Sequence, residues 1–241
     1  MKEKEIVMEV GVIAQILEKL KTADIVYYPN FFTFEGGEGS GKSTIMALLG
    51  ERFAREGIKV LCTREPGGTG SAKAEAIRSL TYESEMETME PLTAAFLYAA
   101  ARNQHVAEVV LPHLRAGYVV LCDRYVDSSL VYQGLVENNL AAVTTMNEIA
   151  IRATMPATTF FLATPPEIGL ARIFANPSNE TNYLDHKALS FHQAVYDDYE
   201  ILAKIFNERY VRIDATQQLS VVVDQVYDRI KQRLGLVRNE E

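Results

Sequence analysis

Several features are scarce or missing in this 241-residue chain, and each absence narrows its class. Cysteine occurs only twice, as Cys62 and Cys122, each closing a short apolar run (Val60-Leu61 and Val119-Val120-Leu121). Two thiols so placed read as buried strand residues in a reducing compartment, not as a disulfide framework or metal site. A bond between them across neighbouring strands stays open. No stretch approaches 18 uninterrupted apolar residues, so no membrane span is expected. Met1 to Glu5 is mixed in charge and lacks a signal peptide's apolar core, which points to the cytoplasm. Basic residues are outnumbered, 24 against 32 acidic, giving a net charge of −8. That balance argues against nucleic-acid binding through bulk electrostatics. Internal repeats and Gly/Ser-rich linkers are also missing. What remains, 48% apolar and 23% charged residues, is the composition of one globular protein able to bury a full core.

Against this background one stretch stands out: Gly36-Gly37-Glu38-Gly39-Ser40-Gly41-Lys42-Ser43-Thr44. It matches G-x-x-x-x-G-K-[ST], a loop whose backbone N–H groups converge on nucleotide phosphates. In such a loop Lys42 reaches the β- and γ-phosphates, and the Ser43 hydroxyl ligates Mg²⁺. The flanks agree, because Phe31 to Phe34 reads as a strand and Ile45 to Leu49 opens a helix whose positive end faces the phosphates. The chain is expected to bind a nucleoside triphosphate.

Upstream, Ile13, Ile16, Leu17 and Leu20 recur at helical spacing, so residues 1–29 read as an N-terminal extension carrying a short amphipathic helix. Its apolar stripe is expected to pack on its own domain. Residues 30–236 form the nucleotide-binding domain. There, strands expected at 31–35, 58–63, 118–122, 158–163 and 209–213 alternate with helix-compatible stretches at 43–56, 90–115, 138–153 and 187–207. Alternation of this kind implies a three-layer α/β fold, a five-stranded parallel sheet flanked by helices. Asn176 to Asn182 is the clearest loop.

Two further segments fall at strand ends, on the rim where ligands bind in open α/β sheets. Thr63-Arg64-Glu65-Pro66-Gly67-Gly68-Thr69 follows the second strand, and Asp123-Arg124-Tyr125 follows the third. A carboxylate there can hold Mg²⁺ through water, and an arginine can screen a transferring phosphoryl group.

The loop, the Thr-Arg-Glu-Pro-Gly-Gly-Thr run and the stretch Asp123 to Gly134 together resemble the thymidylate kinase family. So do Tyr98 to His105 and Ile213-Asp214-Ala215-Thr216. The resemblance runs from about residue 31 to 235 and implies a P-loop nucleoside monophosphate kinase fold, usually a homodimer. It implies ATP and dTMP as small-molecule substrates, Mg²⁺ as cofactor, and no nucleic acid or membrane partner. It assigns Glu38 to the acceptor's 3′-hydroxyl, Tyr98 to stacking on the base and Arg102 to a base carbonyl. Arg64, Arg78 and Arg124 face the acceptor phosphate, Ser128 lies beside them, Tyr132 crowds the sugar 2′ position and Gln133 lies beside the base. Pro66 matches a residue preceded by a cis peptide, and Ala215 belongs to the adenine-side loop. Ser43, Asp123 and Glu65 are the candidate Mg²⁺ ligands. His105 reads as structural.

The pattern breaks in the lid, at about residues 172–186. Some thymidylate kinases carry a catalytic arginine within the phosphate loop, where this chain has Gly39. Others carry basic residues in the lid, yet Phe174 to Asp185 holds no Lys or Arg, and Tyr183 stands at the usual arginine position. Arg172, at the lid's entrance, is the candidate substitute alongside Lys42, Glu38 and Arg124, with Lys187 also nearby. Ala163 departs too, standing where the family often has Asp. A kinase with a shifted acceptor, or a nucleotide-binding protein with weak catalysis, are the alternative readings.

Overall fold

The computed structural model describes residues 2–22, 24–81, 89–175 and 183–236. Its centre is a five-stranded sheet in the order β2-β3-β1-β4-β5, every neighbouring pair parallel. The strands are β1 (Val26–Glu35), β2 (Val60–Arg64), β3 (Val119–Asp123), β4 (Thr154–Ala163) and β5 (Tyr210–Asp214). Parallel neighbours cannot be joined by hairpins, so each connection must cross over, and helices supply the crossovers. Ten are described: α1 (Lys2–Leu17), α2 (Lys42–Arg55), α3 (Ala72–Ser79), α4 (Pro91–His105), α5 (Leu111–Arg115), α6 (Val126–Ser129), α7 (Leu140–Ala150), α8 (Pro166–Phe174), α9 (Leu189–Ile205) and α10 (Leu219–Arg233). The long helical stretch expected at 90–115 is continuous but locally widened, because a π-helical segment at Val106–Val110 joins α4 to α5.

The period of two along β1 divides the core. Phe31 joins a cluster built with α1, α5, α7 and α9, while Phe32 and Phe34 join a second cluster built with α2 and α10. Helix α2 buries Ile45, Met46, Leu49 and Phe53, one face of a 3.6-residue period, against that second side. Glu35 falls in step with Phe31 and Thr33, so it points to the α9 side, where a carboxylate needs partners.

Strand β1 starts at Val26, inside the expected extension, because Val26-Tyr27-Tyr28 pairs with Thr154-Met155-Pro156 before a register shift between Tyr28 and Phe32. Pro29, which has no N–H to give a ladder, sits in that irregularity and hides the continuity of the strand. The extension's Ile13, Leu17 and Leu20 are buried in the same cluster as Val195, Tyr199 and Leu202 of α9. Its stripe therefore covers this protein's own core, next to the helix that follows the expected lid.

The cysteines differ from expectation in one respect. Cys122 is buried in a central strand, but Cys62 is exposed, since β2 is an edge strand. In the β2–β3 register Cys62 lies opposite Leu121 and Thr63 opposite Cys122. The two thiols are thus offset by one residue and point to opposite faces, and both are free.

Leu17→Ala should destabilise the protein by about 2–4 kcal/mol, whereas Val12→Ala, at an exposed position of the same helix, should change it by less than about 0.5 kcal/mol. Urea denaturation of the two variants checks this.

Candidate active site

The phosphate-type loop joins β1 to α2 at the sheet's carboxyl rim, as the strand–loop–helix order requires. Ser40 Oγ donates to the Gly37 carbonyl at 2.8 Å and closes the loop upon itself. The Lys42 ammonium lies within it, donating to the carbonyls of Gly36 (3.0 Å) and Gly37 (2.9 Å) and to Ser40 Oγ (3.1 Å). Burial and the nearby Arg124 lower the Lys42 pKa, with Asp123 and Glu38 opposing them.

The neighbouring strand completes the rim. Phe34 of β1 lies opposite Asp123 of β3, so whatever follows each strand meets the other. Ser43 Oγ donates to Asp123 Oδ2 at 2.7 Å. Arg124 takes a left-handed backbone (φ 65°) and turns its guanidinium back across the loop, where Nη2 meets Glu38 Oε1 at 2.6 Å. Tyr132 Oη also donates to Glu38 Oε1, at 3.2 Å. Burial alone would raise the Glu38 pKa, but Arg124 and Lys42 outweigh it and hold the carboxyl below its ordinary value, so it is a carboxylate. Behind this pair, Glu35 Oε1 accepts the Tyr125 N–H at 2.7 Å, and Oε2 accepts from Ser128 Oγ (2.6 Å) and Tyr199 Oη (2.8 Å).

A cavity of about 670 Å³ opens beside these groups, large enough for a nucleotide. The expected acceptor residues Arg64, Pro66, Arg78, Tyr98, Ser128, Tyr132 and Gln133 all line it, as do Glu38, Ser43 and Asp123. The Glu65–Pro66 peptide is cis. Arg64 Nη2 and Arg78 Nη1 are both held by the Glu75 carboxylate, at 3.0 and 3.3 Å, which sets two cations side by side on one wall. Sequence reasoning missed Glu75; its spacing of three residues before Arg78 on α3 was the available signal.

Two of the expected site residues are largely engaged by the protein itself. Glu65, expected among the metal ligands, has both oxygens engaged: Arg102 Nε meets Oε2 at 2.7 Å and His105 Nδ1 meets Oε1 at 2.9 Å. It is buried at the cavity wall, where its two oxygens orient Arg102 and His105. Arg102, expected at a base carbonyl, also gives Nη1 to Ser129 Oγ (3.0 Å) and to Asn147 Oδ1, and Nη2 to the Tyr125 carbonyl (3.0 Å). Four of its five N–H groups are therefore committed, leaving one for a ligand at the cavity wall. Arginine serves there because its fork can tie β2, α7 and the turn after β3 together at once. His105 is structural in its contacts, with Nε2 bonded to Thr63 Oγ1 at 2.8 Å.

Comparison with known proteins gives the same reading by another route. The family model described as thymidylate kinase matches residues 34–226. The chain belongs to the thymidylate kinase family. Among curated relatives it is 45% identical to the thymidylate kinase of Halalkalibacterium halodurans over 207 residues, covering 86% of this chain and 98% of that protein. To the thymidylate kinase of Geobacillus thermodenitrificans it is 48% identical over 206 residues, covering 85% and 90%. The crystal structure of thymidylate kinase from Ehrlichia chaffeensis superposes with a TM-score of 0.64 at 25% identity, covering 83% of this chain and 97% of that one.

Family membership sharpens the meaning of Gly39. The loop packs directly on α8, where a Cβ at Gly39 would collide with the Gly169 carbonyl, and one at Gly169 with the carbonyl of Glu38. Gly39 is also left-handed (φ 69°), which adds about 1–2 kcal/mol of strain for any other residue, and the missing space leaves this loop no room for an arginine there. Arg172 lies one turn beyond Gly169 on α8, and its Nη2 donates to the Ala215 carbonyl at 2.9 Å. Arg172 is thus held against the turn after β5, the expected adenine-side loop. Ala215 N–H is in turn bonded to the carbonyl of Ala163, at 3.2 Å. Residues 176–182, the middle of the expected lid, and the Tyr183 side chain lie outside the described residues. Leu184, Lys187 and Phe191, from the segment beyond them, line the cavity.

Gly169→Ala should displace the loop and weaken MgATP binding about tenfold or more, since a methyl group there has no room without a backbone shift. Calorimetric titration with a non-hydrolysable ATP analogue measures it.

Proposed function

We propose that this chain phosphorylates dTMP to dTDP at the expense of ATP. The observation that carries this is the Glu38–Arg124 pair at 2.6 Å, which sets a carboxylate and an arginine between the phosphate loop and the acceptor cavity. A general ATP site has no need of a carboxylate in its phosphate loop. An acceptor carrying a sugar hydroxyl and a phosphate uses both groups, the hydroxyl donating to Glu38 and the phosphate accepting from Arg124.

Each residue then has a task. Lys42 and the loop's N–H groups bind the donor phosphates, while Arg64, Arg78 and Arg124 hold the acceptor phosphate against them. Tyr98 provides an aromatic face for the base, and Arg102 a single N–H for its edge. Tyr132, held against Glu38, fills space beside the sugar and favours deoxyribose. No general base is needed, because the attacking phosphate oxygen is already anionic. Ser43 and Asp123 fit Mg²⁺: a hydroxyl and a carboxylate 2.7 Å apart are hard oxygen donors, suited to an ion that keeps most of its other positions for water and phosphate. Among the described residues no cluster of three or more His, Cys, Asp or Glu forms a protein cage, which fits the same chemistry. Bound there, the ion would neutralise charge on the β- and γ-phosphates.

Turnover is expected to be slow for a kinase. The lid segment brings no cation, Gly39 admits none, and Arg172 is tied to Ala215. The protein is proposed to work in the cytoplasm; among the described residues no helix is long and apolar enough to cross a membrane. A homodimer is proposed through Leu80, Phe96 of α4 and Ile149 of α7, exposed at 56, 59 and 72% on a side chain's worth of apolar surface each. Replacing Phe96 and Ile149 with Glu should yield monomers by analytical ultracentrifugation.

ADP release measured over a panel of nucleoside monophosphates should be greatest with dTMP. Arg124→Ala and Glu38→Ala should each reduce kcat/KM on the order of 10²-fold or more. Full activity in both variants would overturn the site assignment, and a different preferred monophosphate would favour the shifted-acceptor reading. Single-turnover phosphorylation of dTMP at a rate ordinary for kinases, undiminished in Arg172→Ala, would overturn the expectation of slow turnover.

A further inference from the structure

The three hydrogen bonds accepted by Glu35 join three parts of the chain: β1 itself, the turn from β3 into α6, and α9. The turn is the one that aims Arg124. Its left-handed backbone costs a non-glycine residue about 1–2 kcal/mol, so something must hold it. Consecutive residues of β1 do so. Arg124 N–H is bonded to the Phe34 carbonyl at 2.9 Å, and Tyr125 N–H to Glu35 Oε1.

The side chains extend the same grip. Ser128 Oγ accepts from Arg124 Nη1 at 3.2 Å while lying 2.6 Å from Glu35 Oε2 and 3.0 Å from Tyr199 Oη. A hydroxyl has one hydrogen and two lone pairs. With Glu35 ionised, Ser128 gives that hydrogen to the carboxylate and turns a lone pair to Arg124. An amide at position 35 would have to present N–H groups to Ser128 and Tyr199, and the Ser128 hydrogen would swing toward a guanidinium that needs an acceptor.

We propose that Glu35 is a positioning residue for acceptor binding: by accepting from Tyr125, Ser128 and Tyr199 it fixes the turn that aims Arg124 and links that aim to α9, the helix that follows the lid. This rests on the dTMP kinase reading. Glu35 touches no substrate; it acts through Arg124 and Ser128. Its surroundings make the arrangement responsive to pH. Facing it are Asp127 and Arg124 from the turn, Tyr199 from α9, Lys42 from α2, Cys122 from β3 and Tyr210 from β5. Burial first, and then Asp127, push its carboxyl up to about 7, against the lowering effects of Ser128, Arg124 and Tyr199. The ionised, accepting form therefore gains population as pH rises through neutrality.

Michaelis constants for dTMP and ATP, measured between about pH 6 and 9 for wild type, Glu35→Gln, Glu35→Asp and Tyr199→Phe, test this. Glu35→Gln should raise the dTMP constant about tenfold while leaving the ATP constant near wild type. Wild-type kcat/KM for dTMP should climb through about pH 7. In Glu35→Gln only the rise from the phosphate's own ionisation near about 6 should remain. Glu35→Asp should recover part of the loss. Tyr199→Phe keeps the ring stacked on Phe161 and removes one donor, so it should move the dTMP constant the same way by less, and it carries the test should Glu35→Gln not fold. An unchanged dTMP constant, an equal rise in both constants, or a wild-type pH profile in Glu35→Gln would overturn the proposal. Wild type that turns over other monophosphates but not dTMP would overturn the functional reading, and this proposal with it. Wild type active on dTMP and matched by Glu35→Gln would overturn this proposal alone.

Discussion

The parallel register of β1 against β3 is the constraint on which the site depends. With Phe34 opposite Asp123, both strands end at one level, and the chain leaving each is delivered to the other. Three contacts follow from that single alignment: Ser43 with Asp123, Glu38 with Arg124, and Glu35 with the Tyr125 N–H. A slip of one residue would turn Glu35 toward the α2 side, against Ile45, Met46 and Leu49, and away from Ser128 and Tyr199. The ladder is thus specified by its hydrophobic faces, and the polar rim is carried along with it.

Charge is distributed by the same logic. Buried carboxylates on the α9 side are matched one by one: Glu65 with Arg102 at 2.7 Å, and Asp127 with Arg209 at 2.5 Å. Glu38 is matched with Arg124 at the cavity edge. Such pairs add little net stability once desolvation is counted, but breaking one is costly, so they fix orientation. Glu35 differs from the others in being held by hydroxyls and a backbone N–H. Those donors offset less of its burial than a full positive charge would, which is why its carboxyl is pushed up to about 7.

The loop, the alternation of strands and helices, and most of the cavity lining were legible in sequence because each depends on local patterns. Gly36 to Thr44 carries its own geometry, and apolar runs of five residues declare strands wherever they end up in the sheet. The start of β1 was hidden by Pro29, a local signal that the pairing with β4 overrides. The environment of Cys62 depended on strand order, which places β2 at the edge. Motif position places Arg102 and Glu65 at the cavity wall, where they stand, but does not show what else reaches them. Asn147 lies 45 residues from Arg102, and Glu65 lies 37 away, and only the folded chain brings them within hydrogen-bond distance.

Residue identity alone set the groups available at the rim: a lysine and glycines in the loop, a carboxylate beside them, an arginine after the third strand, and an expected lid with no basic residue from Phe174 to Asp185. These follow from residue identity and short-range spacing, which the chain carries before it folds. Folding settled which of those groups face a ligand and which hold one another. That division depends on partners from distant segments, since a buried charge takes whichever donor the packed structure brings nearest. It is how Glu65 became a strut, and how Glu35 came to lie behind the arginine.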